Sequence, residues 1–110
     1  SETISVIPEP VKIKIVDYDE VEKKPQLVYI PKPFYPDNMK RKRIEGKTLI
    51  KALIDIDGSV LYTVIIESSG YGEFDFTALS AGLKYEFTPA MQDDRCVRVW
   101  VAIPFLFRLH

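Results

Sequence analysis

Histidine and cysteine are almost missing from this sequence, with His110 and Cys96 the sole examples in 110 residues. A single cysteine excludes an internal disulfide and a cysteine-based zinc site, and Cys96 reads as a small strand residue. A single histidine at the chain end leaves any Ser-His-Asp or Cys-His arrangement hanging on a terminal residue, so no catalytic residue is assigned. No glycine run is suited to cradle phosphate, and no ligand spacing suits a metal, so no cofactor or metal is expected. Charge of one sign is lacking too: 15 Lys plus Arg against 16 Asp plus Glu give a formal charge of -1. No global field therefore marks a nucleic-acid or anionic-membrane binder. Apolar runs such as Val99 to Ile103 fall far short of the roughly 18 residues that cross a bilayer as a helix. The start at Ser1-Glu2-Thr3 shows neither a basic nor an apolar targeting region, and any signal or anchor is expected upstream.

Proline, by contrast, is plentiful and uneven. Six of the eight, Pro8, Pro10, Pro25, Pro31, Pro33 and Pro36, fall in the first third among Lys and Glu. Proline fixes φ and biases its predecessor to extended backbone, so residues 1-32 read as a semi-rigid linker or accessory strand segment, and 33-110 as the domain. Within the linker, Val11 to Ile15 alternates apolar and basic residues as a half-buried strand does, and Gln26 to Ile30 is a second short β-prone run.

After Pro36, Asp37-Asn38 supplies a cap and Met39 to Ile44 about two helical turns, with Gly46 as the stop. Lys47 to Ile56 and Ser59 to Glu67 read as two strands joined at Asp57-Gly58. Asp75 is placed to cap a second helix, with Phe74 stapled onto Leu79 and a buried stripe of Ala78, Leu79, Gly82 and Leu83. Tyr85 to Thr88 continues in extended form, Gln92-Asp93-Asp94 is a loop, and Val97 to Leu109 alternates as one long closing strand. The order helix, strand, strand, helix, strand predicts a two-layer α+β domain. It has a three-stranded antiparallel sheet, two helices on one face, the last strand beside the first, and a partly extended N-terminal segment.

In this order the motifs resemble the TonB C-terminal domain family. Pro33-Phe34-Tyr35-Pro36 is similar to its P-x-Y-P entry, Glu45-Gly46 to its I-E-G, Asp55 to Val60 to its D-x-D-G-x-V hairpin, and Ser68-Ser69-Gly70 to its S-S-G. Phe74-Asp75 with Ala78-Leu79, Tyr85 to Ala90, and Ile103 to Phe107 resemble the helix start, the W-x-F-x-P-A segment and the closing V-P-I-x-F strand. The match spans residues 33 to 109. It departs at Phe74, usually aliphatic, at Tyr85, commonly Trp, and before the last strand, where the usual glycine is missing.

The resemblance implies a periplasmic energy-transducer domain, anchored in the inner membrane by a segment upstream of this chain. Its partners would be the TonB box, an extended peptide of an outer-membrane transporter, and an inner-membrane motor driven by proton flow, serving uptake of iron chelates or vitamin B12. An alternative is a TonB-like interaction module of a scaffold or sensor protein without energy transduction. Strand addition to an exposed edge is the expected mode, with the last strand as that edge because Pro104 is tolerated chiefly there. The candidate partner-binding residues are Tyr35, Pro36, Val97, Arg98, Val99, Trp100, Val101, Ile103 and Phe105.

Three patterns have simpler readings. Lys40 to Arg43 is a basic run, yet a short helix needs a polar side and no aromatics interleave for base stacking, so no nucleic acid is expected. Asp55 and Asp57 are a poor oxygen cage for calcium and a good turn. Leu49, Leu53, Tyr62, Val64 and Trp100 on the sheet face away from the helices form a patch; the N-terminal segment, especially Val11 to Ile15 or Leu27 to Ile30, is expected to pack on it or add a strand, or else a homodimer to bury it.

Overall fold

The β-branched run from Lys47 onward and the Val60 to Glu67 run pair as expected, and the rest of the chain is arranged on that hairpin. A computed structural model describes residues 14-32 and 34-110. The elements are β1 (Ile15–Asp17), β2 (Leu27–Tyr29), α1 (Asp37–Arg41), β3 (Gly46–Ile54), β4 (Val60–Glu67), α2 (Gly72–Gly82), β5 (Glu86–Phe87), β6 (Ala90–Gln92) and β7 (Arg95–Phe107). β7 runs antiparallel beside β3 from Gly46↔Phe107 to Ile54↔Val99, and β4 lies on the other side of β3. This is the predicted antiparallel core, with short strands added to it. β1 pairs parallel with Arg98 to Trp100 of β7, β6 pairs with its first residues, and β2 joins β5 in a second small sheet.

Alternation puts one side chain in two on each face, and the helices cover the face carrying Thr48, Ile50, Ala52 and Ile54 of β3 with Val99, Ile103, Phe105 and Phe107 of β7. α2 comes very close to the sheet. A Cβ added at Gly82 would lie 2.5 Å from the Ile50 Cδ1, so any larger residue would require the Ile50 side chain to shift. Thr63 then donates to the Leu79 carbonyl at 2.9 Å, tying helix to sheet. At the other end of the core Phe74 stacks on Phe107, ring centroids 4.3 Å apart, and Tyr35 meets both edge-on.

Several expectations give way to local chemistry. α1 ends before Gly46, because Arg43 takes a left-handed φ of 56° and Ile44 N–H returns to the Met39 carbonyl; Gly46 instead opens β3. α2 starts at Gly72, a full turn earlier than a cap at Asp75 requires, and Tyr71 in the N-cap position offers no side-chain bond. Phe74 is therefore a core residue instead of a surface staple, while Leu83, at the C-cap just past α2, is 49% exposed. Gln92-Asp93-Asp94 is no loose loop. Asp93 and Asp94, at φ 51° and 60°, form a two-residue turn between β6 and β7, the positive-φ pair that such hairpins require. Aspartate tolerates that conformation less well than glycine, so Asp94→Gly is expected to stabilise the domain by about 1 kcal/mol, read as a higher urea midpoint at unchanged slope.

The Val11 to Ile15 strand reaches outside the described residues at 11-13, and its described continuation is β1. There Val16 is buried and the Arg98 N–H donates to the Lys14 carbonyl at 3.0 Å. From β1 the chain turns at Asp17 to Glu20, exchanges both backbone bonds between Lys23 and Met91, and reaches β5 through Thr88 N–H to the Gln26 carbonyl. The N-terminal segment is thus stitched along one side of the domain and adds β1 as a strand, while on the open sheet face Leu53 is buried and Leu49 and Trp100 are half-buried. Tyr62, Val64, Ile66 and Leu106 remain exposed there.

Candidate partner-binding edge

β7 is an edge over only part of its length. Because N–H groups alternate sides along a strand and Arg98 donates outward to Lys14, the outward positions are Arg98, Trp100, Ala102, Pro104 and Leu106. β1 occupies the first two. Beyond Trp100 no strand pairs with that side of β7 among the described residues. Pro104 lies in the outward set, where its missing N–H interrupts no ladder bond to β3.

The predicted residues separate on this geometry. Val97, Val99, Ile103 and Phe105 are buried toward the helices, and Val99, Val101, Ile103 and Phe105 aim their N–H groups at β3. They build the strand and do not face its free side. Trp100 and Arg98 do lie on the open face. Trp100 is half-buried and carries the Lys51 ammonium 4.9 Å above its ring centre, a cation–π contact. The Arg98 Nε donates to Asp55 Oδ1 at 3.0 Å, which neutralises the charge expected to meet a partner. Such a partly exposed pair contributes about 0–1 kcal/mol, so its main effect is to fix the β3–β4 turn against β7.

Tyr35 and Pro36 sit elsewhere, at the end of the core beside α1. The Tyr35 hydroxyl donates to the Ile44 carbonyl, its ring packs on Phe74 and Phe107, and Pro36 is buried at the α1 N-terminus. Burial and then the Glu45 carboxylate push the Tyr35 phenol above its usual range. Pro33, the first residue of that motif, lies outside the described residues.

Sequence reasoning missed Ala102 and Leu106, although Pro104 was the signal: whichever alternate set holds the proline must be the outward one. It also missed the groove where β1 ends. This opening of about 770 Å³ is lined by Asp17, Asp19, Glu20 and Leu27 on one side and by Lys51, Ile66, Trp100 and Ala102 on the other. Among the described residues no group of three or more His, Cys, Asp or Glu is arranged to hold a metal ion, and no helix is long and apolar enough to cross a membrane.

A two-layer α+β domain with an antiparallel β4-β3-β7 core and a partly open last strand is the class these features define. Comparison with known families makes it specific: residues 31–109 match the Gram-negative bacterial TonB protein C-terminal family, and the chain belongs to it. It is 31% identical over 80 residues to Protein tonB2 of Pseudomonas aeruginosa, covering 73% of this chain and 30% of that protein. It is also 31% identical over 88 residues to Protein TonB of Vibrio cholerae serotype O1, covering 79% and 36%. The chain thus spans about a third of the length of these curated relatives. The solution NMR structure of the Pseudomonas aeruginosa TonB CTD shares the fold, with a TM-score of 0.67 at 23% identity, over 86% of this chain and 93% of that one.

Proposed function

We propose that this domain is the periplasmic, partner-gripping end of a TonB-type energy transducer. It acts by binding and not by catalysis: an extended peptide, the TonB box of an outer-membrane transporter, adds as a strand to the outward side of β7. A segment upstream anchors the protein in the inner membrane and receives work from the proton-driven motor there, and the grip passes that work to the transporter during solute uptake. Family membership supports the transducer role. The observation that carries the mode of binding is the outward side of β7 beyond Trp100, unpaired among the described residues and next to an open groove. Main-chain bonds supply affinity in such a mode, and the side chains bordering the edge supply selectivity.

The test is a proline scan of the outward amides, read by amide shifts during titration with N-terminal peptides of outer-membrane transporters from the same bacterium. Ala102→Pro is expected to weaken binding at least about tenfold while the domain stays folded, because it removes an outward donor and no bond to β3. Shifts centred on Lys40 to Arg43 or on α2, with Ala102→Pro binding normally, would show edge pairing to be the wrong mode.

A further inference from the structure

The outward side of β7 already has a tenant, and we infer that β1 is a built-in competitor that the partner strand must displace. The inference rests on the edge-binding reading above. Past β1 only Ala102 and Leu106 can donate outward, since Pro104 has no N–H. A strand confined to that stretch would find half of the donors that the full edge provides, because Arg98 and Trp100 supply the others once β1 leaves. β1 is built to be removable. Among the described residues it pairs over three, Ile15↔Arg98 to Asp17↔Trp100, which is the short end of strand lengths, and of these three side chains only Val16 is buried. It also lies where the proposed partner strand would lie: extended along β7, with Val16 turned into the core beside Val99 and its neighbours exposed. The groove lies directly off its C-terminal end, at the point where an incoming strand meets free edge. The domain at rest therefore holds its recognition edge partly shut, and observed affinity is lowered by the fraction of time that β1 is seated.

The experiment follows Val16 in the intact chain by NMR while an N-terminal transporter peptide from the same bacterium is added. At saturation the Val16 methyls and the Ile15 to Asp17 amides are expected at unfolded-chain positions, while the Arg98 and Trp100 amides remain protected from exchange by the new strand. If Ala102 and Leu106 shift but Val16 stays packed, displacement is overturned and edge binding survives. If no amide of β7 shifts, the edge-binding reading fails and the inference with it. A second measurement uses Val16→Asp, which unseats β1 and is expected to tighten peptide binding on the order of fivefold. A synthetic peptide copying residues 12–19 should then bind this variant in trans at Arg98 and Trp100. Unchanged affinity together with no trans binding overturns the proposal. Should the variant fail to fold, the Val16 signals of the unmodified chain decide it.

Discussion

Asp75→Ala is expected to remove about 2–4 kcal/mol of folding stability, a large share of what a domain of this size holds. The Asp75 carboxylate is a hub. Its Oδ1 accepts from Thr48 Oγ1 at 2.9 Å and from Ser69 N–H and Oγ at 2.9 and 2.8 Å, and its Oδ2 accepts from Ser68 Oγ. Thr48 is fully buried on β3, so losing its acceptor strands a hydroxyl inside the core. The same bonds bring the S-S-G segment, the first turn of α2 and the central strand to one atom group, and alanine releases all of them together.

Acid should reproduce part of this loss. Burial alone would raise the Asp75 carboxyl, but the hydrogen bonds from Ser68, Ser69 and Thr48 outweigh it and hold the group at about 2, against 3.8 ordinarily. A folded-state value below the unfolded one gives stability that is complete above the unfolded value and disappears as pH falls through the folded one. Loss is thus expected between about pH 4 and pH 2. Asp75→Asn keeps much of the geometry without the charge. It should cost less than alanine and flatten that acid limb in urea melts followed by Trp100 fluorescence; an unchanged limb would assign the acid sensitivity to another group.

Gly58→Ala is expected to cost about 3 kcal/mol or more, from two independent causes. Gly58 has φ +92°, a region that residues with a Cβ rarely adopt, and an added Cβ would lie 1.8 Å from the Phe87 carbonyl oxygen. The turn is pressed against β5, where the Phe87 N–H donates to the Gly58 carbonyl at 2.9 Å. Alanine must push the two apart, breaking that bond and unseating Phe87 from the core. A thermal melt within a degree of the parent would refute this clash, and faster exchange at the Phe87 amide would locate the damage if stability falls.

The core of the fold was legible because its signals are local and repetitive. Alternation in Lys47 to Glu67 and Val97 to Phe107, the turn at Asp57-Gly58 and the small residues of α2 each state their own structure. Asp75 was misread because its residue type suits a cap as well as a half-buried acceptor, and only the tertiary approach of Thr48 and Ser69 chooses between them. The Asp93-Asp94 hairpin was missed since aspartate rarely fills two left-handed positions in a row. For the edge, the sequence pointed to the right strand and left its sides unresolved. Knowing that Val99 aims at β3 while Trp100 aims outward requires the register, and the parallel pairing of β1 is a contact between residues more than 80 apart, as with Val16 and Val99.

The route of the N-terminal segment also has a mechanical meaning. Tension entering from the upstream side of the chain reaches Lys14 and β1 before it reaches β3 or α2. Bonds between strands resist a pull along their length together, as a lap joint does, whereas a pull across them opens the bonds one after another. A joint of three residues, its length among the described residues, parts early in either direction, and a partner strand bonded along the whole outer side of β7 would form a longer seam. Under the proposed displacement both seams would use the Arg98 and Trp100 positions, so a load that parts the short seam would clear the place that the longer one takes.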